Sequence, residues 1–251
     1  MYVDIHAHID NDAFSGERDR KIAQWKEEGI EFILSNGVDH ESNRDVKTLS
    51  DTHDIIYPAY GFHPIHVLEN ERKTIEDEIL AIKNSDCLAI GEVGLDYQHA
   101  TTEKEKQKQK DIFTKFIHAS KQTGKPLIIH SRKAERDVLD LLENHDHANA
   151  VLHCFFGKKS YMKEACDKGI WFSAPSISDR AQQLKDMTSY VPLQQILTET
   201  DSPYLGPDKD EINTPVTVKR TVSYLAKKKD KDEETVREQI RQNTEELLKP
   251  K

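Results

Sequence analysis

Asp4-Ile5-His6-Ala7-His8 sets two imidazoles two positions apart near the start of the chain. Side chains in a β-strand alternate between faces, so Asp4, His6 and His8 share one face while Val3, Ile5 and Ala7 share the other. One face is then apolar and the other carries half a metal site. Asp4 lies on the polar face, where its carboxylate is expected to accept the second ring N–H of a ligating histidine and fix its tautomer. The remaining ligands have to come from further strands.

Seven more short apolar runs follow, so that the set reads Tyr2–His6, Phe32–Asn36, Ile56–Gly61, Leu88–Val93, Leu127–His130, Ala150–Cys154, Trp171–Ala174 and Ile196–Thr200. The intervening segments are long enough for crossover helices and show helical spacing, as in Ile75, Ile79 and Ile82 or Ile112, Phe113, Phe116 and Ile117. Gly29, Gly124 and Gly169 each stand just before a strand, where a helix should end. Eight strands alternating with helices predict an α/β fold, a TIM (β/α)8 barrel, ahead of a doubly wound open sheet. Val218–Lys228 and Glu233–Leu248 read as two closing helices, and the lysines between them as a solvated helix end.

A length of 251 residues with 36% hydrophobic content suits one large core, so a single domain over residues 1–251 is expected. No run of about 18 apolar residues is present, and Met1 leads into the Asp4 motif without an apolar leader, which predicts a soluble, cytoplasmic protein with no membrane contact. Cys87, Cys154 and Cys166 lack CxxC spacing and read as reduced thiols. Cys154 should face away from its neighbour His153 as a small buried hydrophobe. A net charge of −9 argues against a broad basic face that coats duplex DNA. A polyanionic substrate would need locally concentrated positive charge, such as bound divalent cations.

Chemistry in such a barrel gathers where strands end. There the sequence places His6 and His8, His63, Glu92, His130, His153 and Asp201. Imidazole and carboxylate together suit borderline and hard divalent ions, and a carboxylate can bridge two of them. Glu92 is the bridging residue in this reading, with His6, His8 and Asp201 completing one ion's shell and His130 with His153 the other's. Two ions about 3.5–4 Å apart form the arrangement used for hydrolysis. One or two divalent ions are expected, Mg²⁺, Mn²⁺ or Zn²⁺. The other seven histidines, His40, His53, His66, His99, His118, His145 and His147, read as solvated surface.

The set Asp4–His8, Gly61-Phe62-His63-Pro64, Gly91–Asp96, Ile129-His130-Ser131-Arg132, His153-Cys154-Phe155 with Gly157, and Glu199–Tyr204 resembles the TatD family of metal-dependent deoxyribonucleases, in order and along the whole chain. The resemblance implies a metallohydrolase barrel and 3′-to-5′ exonuclease action on DNA. It implies His6, His8, Glu92, His130, His153 and Asp201 as metal ligands and His63 as a substrate contact. The chain departs from the family before Asn213, where Ile212 replaces the usual arginine. Asn243 reads as structural. In this frame Asp201 takes the proton of the attacking water. His63 touches the phosphate, while Arg132, with Lys158 and Lys159, reaches phosphate oxygens from the rim. Phe62, Tyr97, Phe155 and Tyr204 are placed to stack bases at the mouth. Single-stranded ends are the expected DNA partner. An amidohydrolase or lactonase is the alternative enzyme, and a non-catalytic binding module the alternative class.

Overall fold

The computed structural model of the chain describes residues 2–207 and 211–249. Its eight strands are β1 (Tyr2–Ala7), β2 (Ile30–Asn36), β3 (Ile56–Tyr60), β4 (Ala89–Asp96), β5 (Leu127–Arg132), β6 (Ala150–Leu152), β7 (Trp171–Ala174) and β8 (Ile196–Thr198). All neighbouring pairs are parallel, and the sheet runs in sequence order from β1 to β8. The helices are α1 (Arg18–Glu27), α2 (His40–Thr52), α3 (Pro64–Glu69), α4 (Arg72–Lys83), α5 (Glu103–Thr123), α6 (Glu135–Asn144), α7 (Lys159–Asp167), α8 (Gln182–Tyr190), α9 (Val218–Lys229) and α10 (Glu233–Leu247). This is the TIM barrel, and the open doubly wound sheet is excluded by the seam between its end strands.

That seam is made by side chains as much as by backbone. Asp201 N donates to His6 O at 2.8 Å and His8 N to Ser202 O at 2.7 Å. Lower down, Thr200 donates from N (3.0 Å) and Oγ1 (2.5 Å) to the two oxygens of Asp4. Asp4 therefore does not orient an imidazole, as its position on the polar face suggested. It is wholly buried and holds β8 against β1, and burial pushes its carboxyl up to about 7 against the lowering effect of the Thr200 and His6 hydrogen bonds.

Strands β4 and β5 run further than their apolar runs, to Asp96 and Arg132, whereas β6 and β8 stop two residues early. Gly94 marks the reason for the first difference. It has φ +134°, and a Cβ there would lie 2.1 Å from the His130 carbonyl oxygen, so the glycine lets the two strands stay paired instead of ending one of them. Gly61 has an equal role beside Glu92, since a Cβ would lie 1.8 Å from Gly91 O. Among the helices, α5 is the best defined at its ends, with a Thr102/Glu105 capping box and Gly124 in the left-handed region at φ 75°. Gly29 and Gly169 also have positive φ just before their strands.

Candidate metal centre

The predicted ligands converge on one another at the C-terminal ends of the strands, and the side chains behind them decide which ring nitrogen faces inward. His8 Nδ1 lies 2.9 Å from the Asn36 carbonyl, which can only accept, so Nδ1 carries the proton and Nε2 is left bare. His153 is fixed in the same sense by Glu199, 2.7 Å from Nδ1. Glu199 is itself wholly buried and also accepts from Cys154 N (2.9 Å) and Ser173 Oγ (2.6 Å). His6 is buried with neither ring nitrogen hydrogen-bonded, although Nε2 stands 3.5 Å from both Glu92 Oε2 and Asp201 Oδ1. A buried imidazole without a partner is costly unless something else completes it, and a divalent cation among bare nitrogens and carboxylate oxygens does so.

Glu92 faces this group from both oxygens. Its Oε2 lies 3.5 Å from His6 Nε2 and 3.5 Å from His8 Nε2. Its Oε1 lies 2.8 Å from His130 Nδ1, 3.5 Å from His63 Nε2 and 3.8 Å from His153 Nε2. Three sets of ligand atoms are close enough to share an ion: His6–His8–Glu92, His6–His153–Asp201 and His63–Glu92–His130. The arrangement pairs His153 with His6, on which it stacks at 3.8 Å between ring centroids, and leaves it 6.2 Å from the ring of His130. His153 Nε2 and His130 Nδ1 nonetheless share Glu92 Oε1, at 3.8 and 2.8 Å, so the expected grouping of His130 with His153 stands beside one that joins His153 to His6 and Asp201.

His130 sits between two carboxylates, with Nδ1 on Glu92 and Nε2 at 2.9 Å from Asp96. Burial lowers its pKa, but the bonds to Asp96 and Glu92 outweigh that and lift it to about 9. Burial would raise Glu92, yet the surrounding histidines hold it well below the usual carboxylate range. Asp201 behaves alike: burial pushes up, and His6, His8 and His153 hold it below.

His63 differs from the rest. Its Nδ1 accepts the Ile65 N–H at 3.1 Å as the N-cap of α3, and burial drives its pKa down to about 3. The neutral ring must then carry its proton on Nε2, the nitrogen that faces Glu92. Such an atom donates a hydrogen bond and cannot ligate a cation without giving up the cap. Geometry thus brings His63 near a ligand set while its tautomer suits a substrate oxygen.

A cavity of about 410 Å³ opens beside His130, His153 and Asp201. Arg132 lines it, as expected of a rim cation, while Lys159 is drawn away to Asp186 at 3.3 Å. Cys154, expected as a small buried hydrophobe, is only partly buried and also lines the cavity. It has φ 42°, and burial with the charges of Glu199, Asp201 and Glu92 pushes its pKa far up, so it stays a neutral thiol. Phe62 and Phe155 are buried in the wall and cannot stack a base. Tyr97 bonds Asp137 through its hydroxyl, and Tyr204 is exposed beside His8. Sequence reasoning missed Asp96, Glu199 and the Asn36 carbonyl as orienting partners, and Lys133 and Phe156 on the cavity wall. Asp96 and Glu199 lay inside quoted motifs, but nothing in one strand says which ring another strand brings to it. His99, read as surface, touches Asp96 at 3.0 Å. Asn213 is buried and ties the loop after β8 through Thr200 O and Tyr204 O, both at 2.8 Å, with Ile212 half exposed beside it. Asn243 bonds the Leu193 and Ile196 carbonyls, a structural position.

Residues 3–249 match the model of a family described as TatD related DNase. The chain is 32% identical over 245 residues to an uncharacterized metal-dependent hydrolase of Methanocaldococcus jannaschii, covering 97% of this chain and 95% of that one. It is 30% identical over 257 residues to the deoxyribonuclease TATDN3 of Homo sapiens, covering 98% and 94%. In structure it resembles the TatD homologue YJJV of Escherichia coli K12, with a TM-score of 0.89 at 22% identity over 98% of this chain and 97% of that one.

Proposed function

The chain belongs to the TatD related DNase family and is a metal-dependent hydrolase, and from that premise we propose that it hydrolyses phosphodiester bonds of DNA as a 3′-to-5′ exonuclease on single-stranded ends. The observation that carries this reading is the convergence on Glu92 of three histidines whose inward nitrogens are bare or unpartnered, His6, His8 and His153, beside a cavity with Arg132 on its wall.

His6, His8, Glu92, His130, His153 and Asp201 would hold one or two divalent ions, Mg²⁺, Mn²⁺ or Zn²⁺. When bound these would supply positive charge at the phosphoryl oxygen and lower the pKa of water. Glu92, with one oxygen toward each ligand group, serves both. Asp201 is kept ionised by its histidine neighbours and takes the proton of the attacking water on a carboxylate oxygen. His63 donates from Nε2 to a phosphate or leaving oxygen. Arg132 holds a non-bridging oxygen from the rim. A terminal nucleotide fits a cavity of about 410 Å³ more readily than the middle of a stiff duplex does. No helix among the described residues is long and apolar enough to cross a membrane, and the free thiols Cys87, Cys154 and Cys166 accord with a reducing cytoplasm.

The test is to strip the protein of metal, restore Mg²⁺, Mn²⁺ or Zn²⁺ singly, and offer a 5′-labelled single-stranded oligonucleotide alongside a panel of lactones and amides. Metal-dependent shortening from the 3′ end is expected. Turnover confined to lactones or amides would replace the nuclease with the small-molecule hydrolase.

A further inference from the structure

The cavity beside the metal ligands has two unlike walls. On the β5 side stand Arg132 and Lys133, exposed side chains with no ion pair or side-chain hydrogen bond among the described residues. On the side of the β6 and β8 loops stand Phe156, 43% exposed, and Leu205. Single exposed apolar residues are common on a protein surface, and what sets Phe156 apart is its place on the wall of the cavity beside the candidate ligands. Its neighbour Phe155 is wholly buried, packed on Phe172 at 5.5 Å between ring centroids. The chain therefore supplies the core contact with one ring and turns the next out over the cavity. Gly157 follows under tight constraint, because a Cβ there would lie 2.2 Å from the Phe155 ring. The outward ring is held on a short, closely packed turn.

We propose that Phe156 is the floor of a nucleobase subsite, on which the base adjoining the scissile phosphate stacks while Arg132 and Lys133 hold the phosphate of the same nucleotide. This deepens the nuclease reading and rests on it. A flat apolar ring and two cations lining one cavity beside His130, His153 and Asp201 fit a nucleotide, which is itself a flat base joined to an anion. It fits a lactone or a simple amide poorly, since neither offers an anion to the cations. Glu135 also lines this cavity. Stacking tolerates any base, so the subsite confers attachment to nucleic acid without sequence preference.

Two measurements test it. The first compares kcat/KM for oligonucleotides carrying a base, or an abasic tetrahydrofuran unit, at the cleaved nucleotide, in wild type and in F156A. Loss of the base is expected to cost wild type roughly five- to 150-fold, the range of one stacked base, and to cost F156A almost nothing further. An equal abasic penalty in both proteins overturns the subsite. The second needs no hydrolysis. In F156W the new indole is the exposed one, since Trp25 and Trp171 are buried, and its fluorescence should be quenched on titration with dAMP but not with deoxyribose 5-phosphate. Quenching without DNA cleavage by wild type would retain the subsite and reject the nuclease. Cleavage with neither quenching nor an abasic difference would retain the nuclease and reject the subsite.

Discussion

At the scale of single residues, the site depends on which atom of each side chain is left free. Glu92 is the residue on which the two halves of the site meet, because its oxygens face different histidines. Glu92→Gln replaces one oxygen with an amide that repels a cation, so it should lower kcat/KM and metal content more than His6→Ala or His130→Ala does. Metal analysis and turnover on the three variants check this, and near-normal turnover with full metal in Glu92→Gln would remove its bridging role. Glu199 touches no substrate, but it fixes His153 through a 2.7 Å bond to Nδ1. Glu199→Gln can donate to Nδ1 and so favour the wrong tautomer, and an orienting partner of this kind is worth about 10–100-fold in metal affinity. Titration by competition with a chelator measures that loss, whereas an unchanged affinity would make Glu199 a packing residue only. The candidate ligand types were legible in the sequence because imidazoles and carboxylates recur at strand ends. Their orienting partners were not, since Glu199 is separated from His153 by 46 positions and meets it only when β6 and β8 approach around the barrel.

At the scale of elements, the runs that read as strands are the strands, since each carries enough β-branched and aliphatic residues to be buried between helices and barrel interior. Their ends were less legible. A glycine reads as a turn, yet Gly94 keeps β4 paired with β5 where a side chain would strike the His130 carbonyl. Asp4 shows the same limit from another direction. Its alternation places it on the histidine face, but Thr200, 196 positions away, claims both its oxygens and makes it part of the seam between β1 and β8. Asp4→Ala strands the buried Thr200 N–H, and a buried donor without its acceptor costs about 1–3 kcal/mol. Urea unfolding of the metal-free variant should show that loss. If stability were unchanged, the seam would rest on the Asp201–His6 and His8–Ser202 backbone bonds and on the Thr198 hydroxyl's bond to Val3 O. The conservative Asp4→Asn keeps an acceptor for Thr200 N and should recover part of the difference.

At the scale of the molecule, charge and shape bear on how DNA would be met. A net charge of −9 works against gripping a long polyanion over a broad face, so attraction is expected from the metal pocket and the cations on its wall. Those cations sit at one mouth of the barrel, beside a cavity of about 410 Å³, which is room for a nucleotide and not for a helix segment. A single strand needs no unpairing, and a free end can enter such a pocket without bending the chain on both sides of it. The expected outcome is that linear single-stranded DNA is shortened while a circle of the same sequence survives. Incubating both with the metal-loaded protein and following product lengths over time tests this directly. A ladder receding from the 3′ end with an intact circle accords with a pocket for ends. Comparable cutting of the circle would mean that an internal phosphate reaches Glu92 and Asp201, so that the βα loops leave the mouth open to a passing strand, and the exonuclease reading would give way to an endonuclease at the same metal centre.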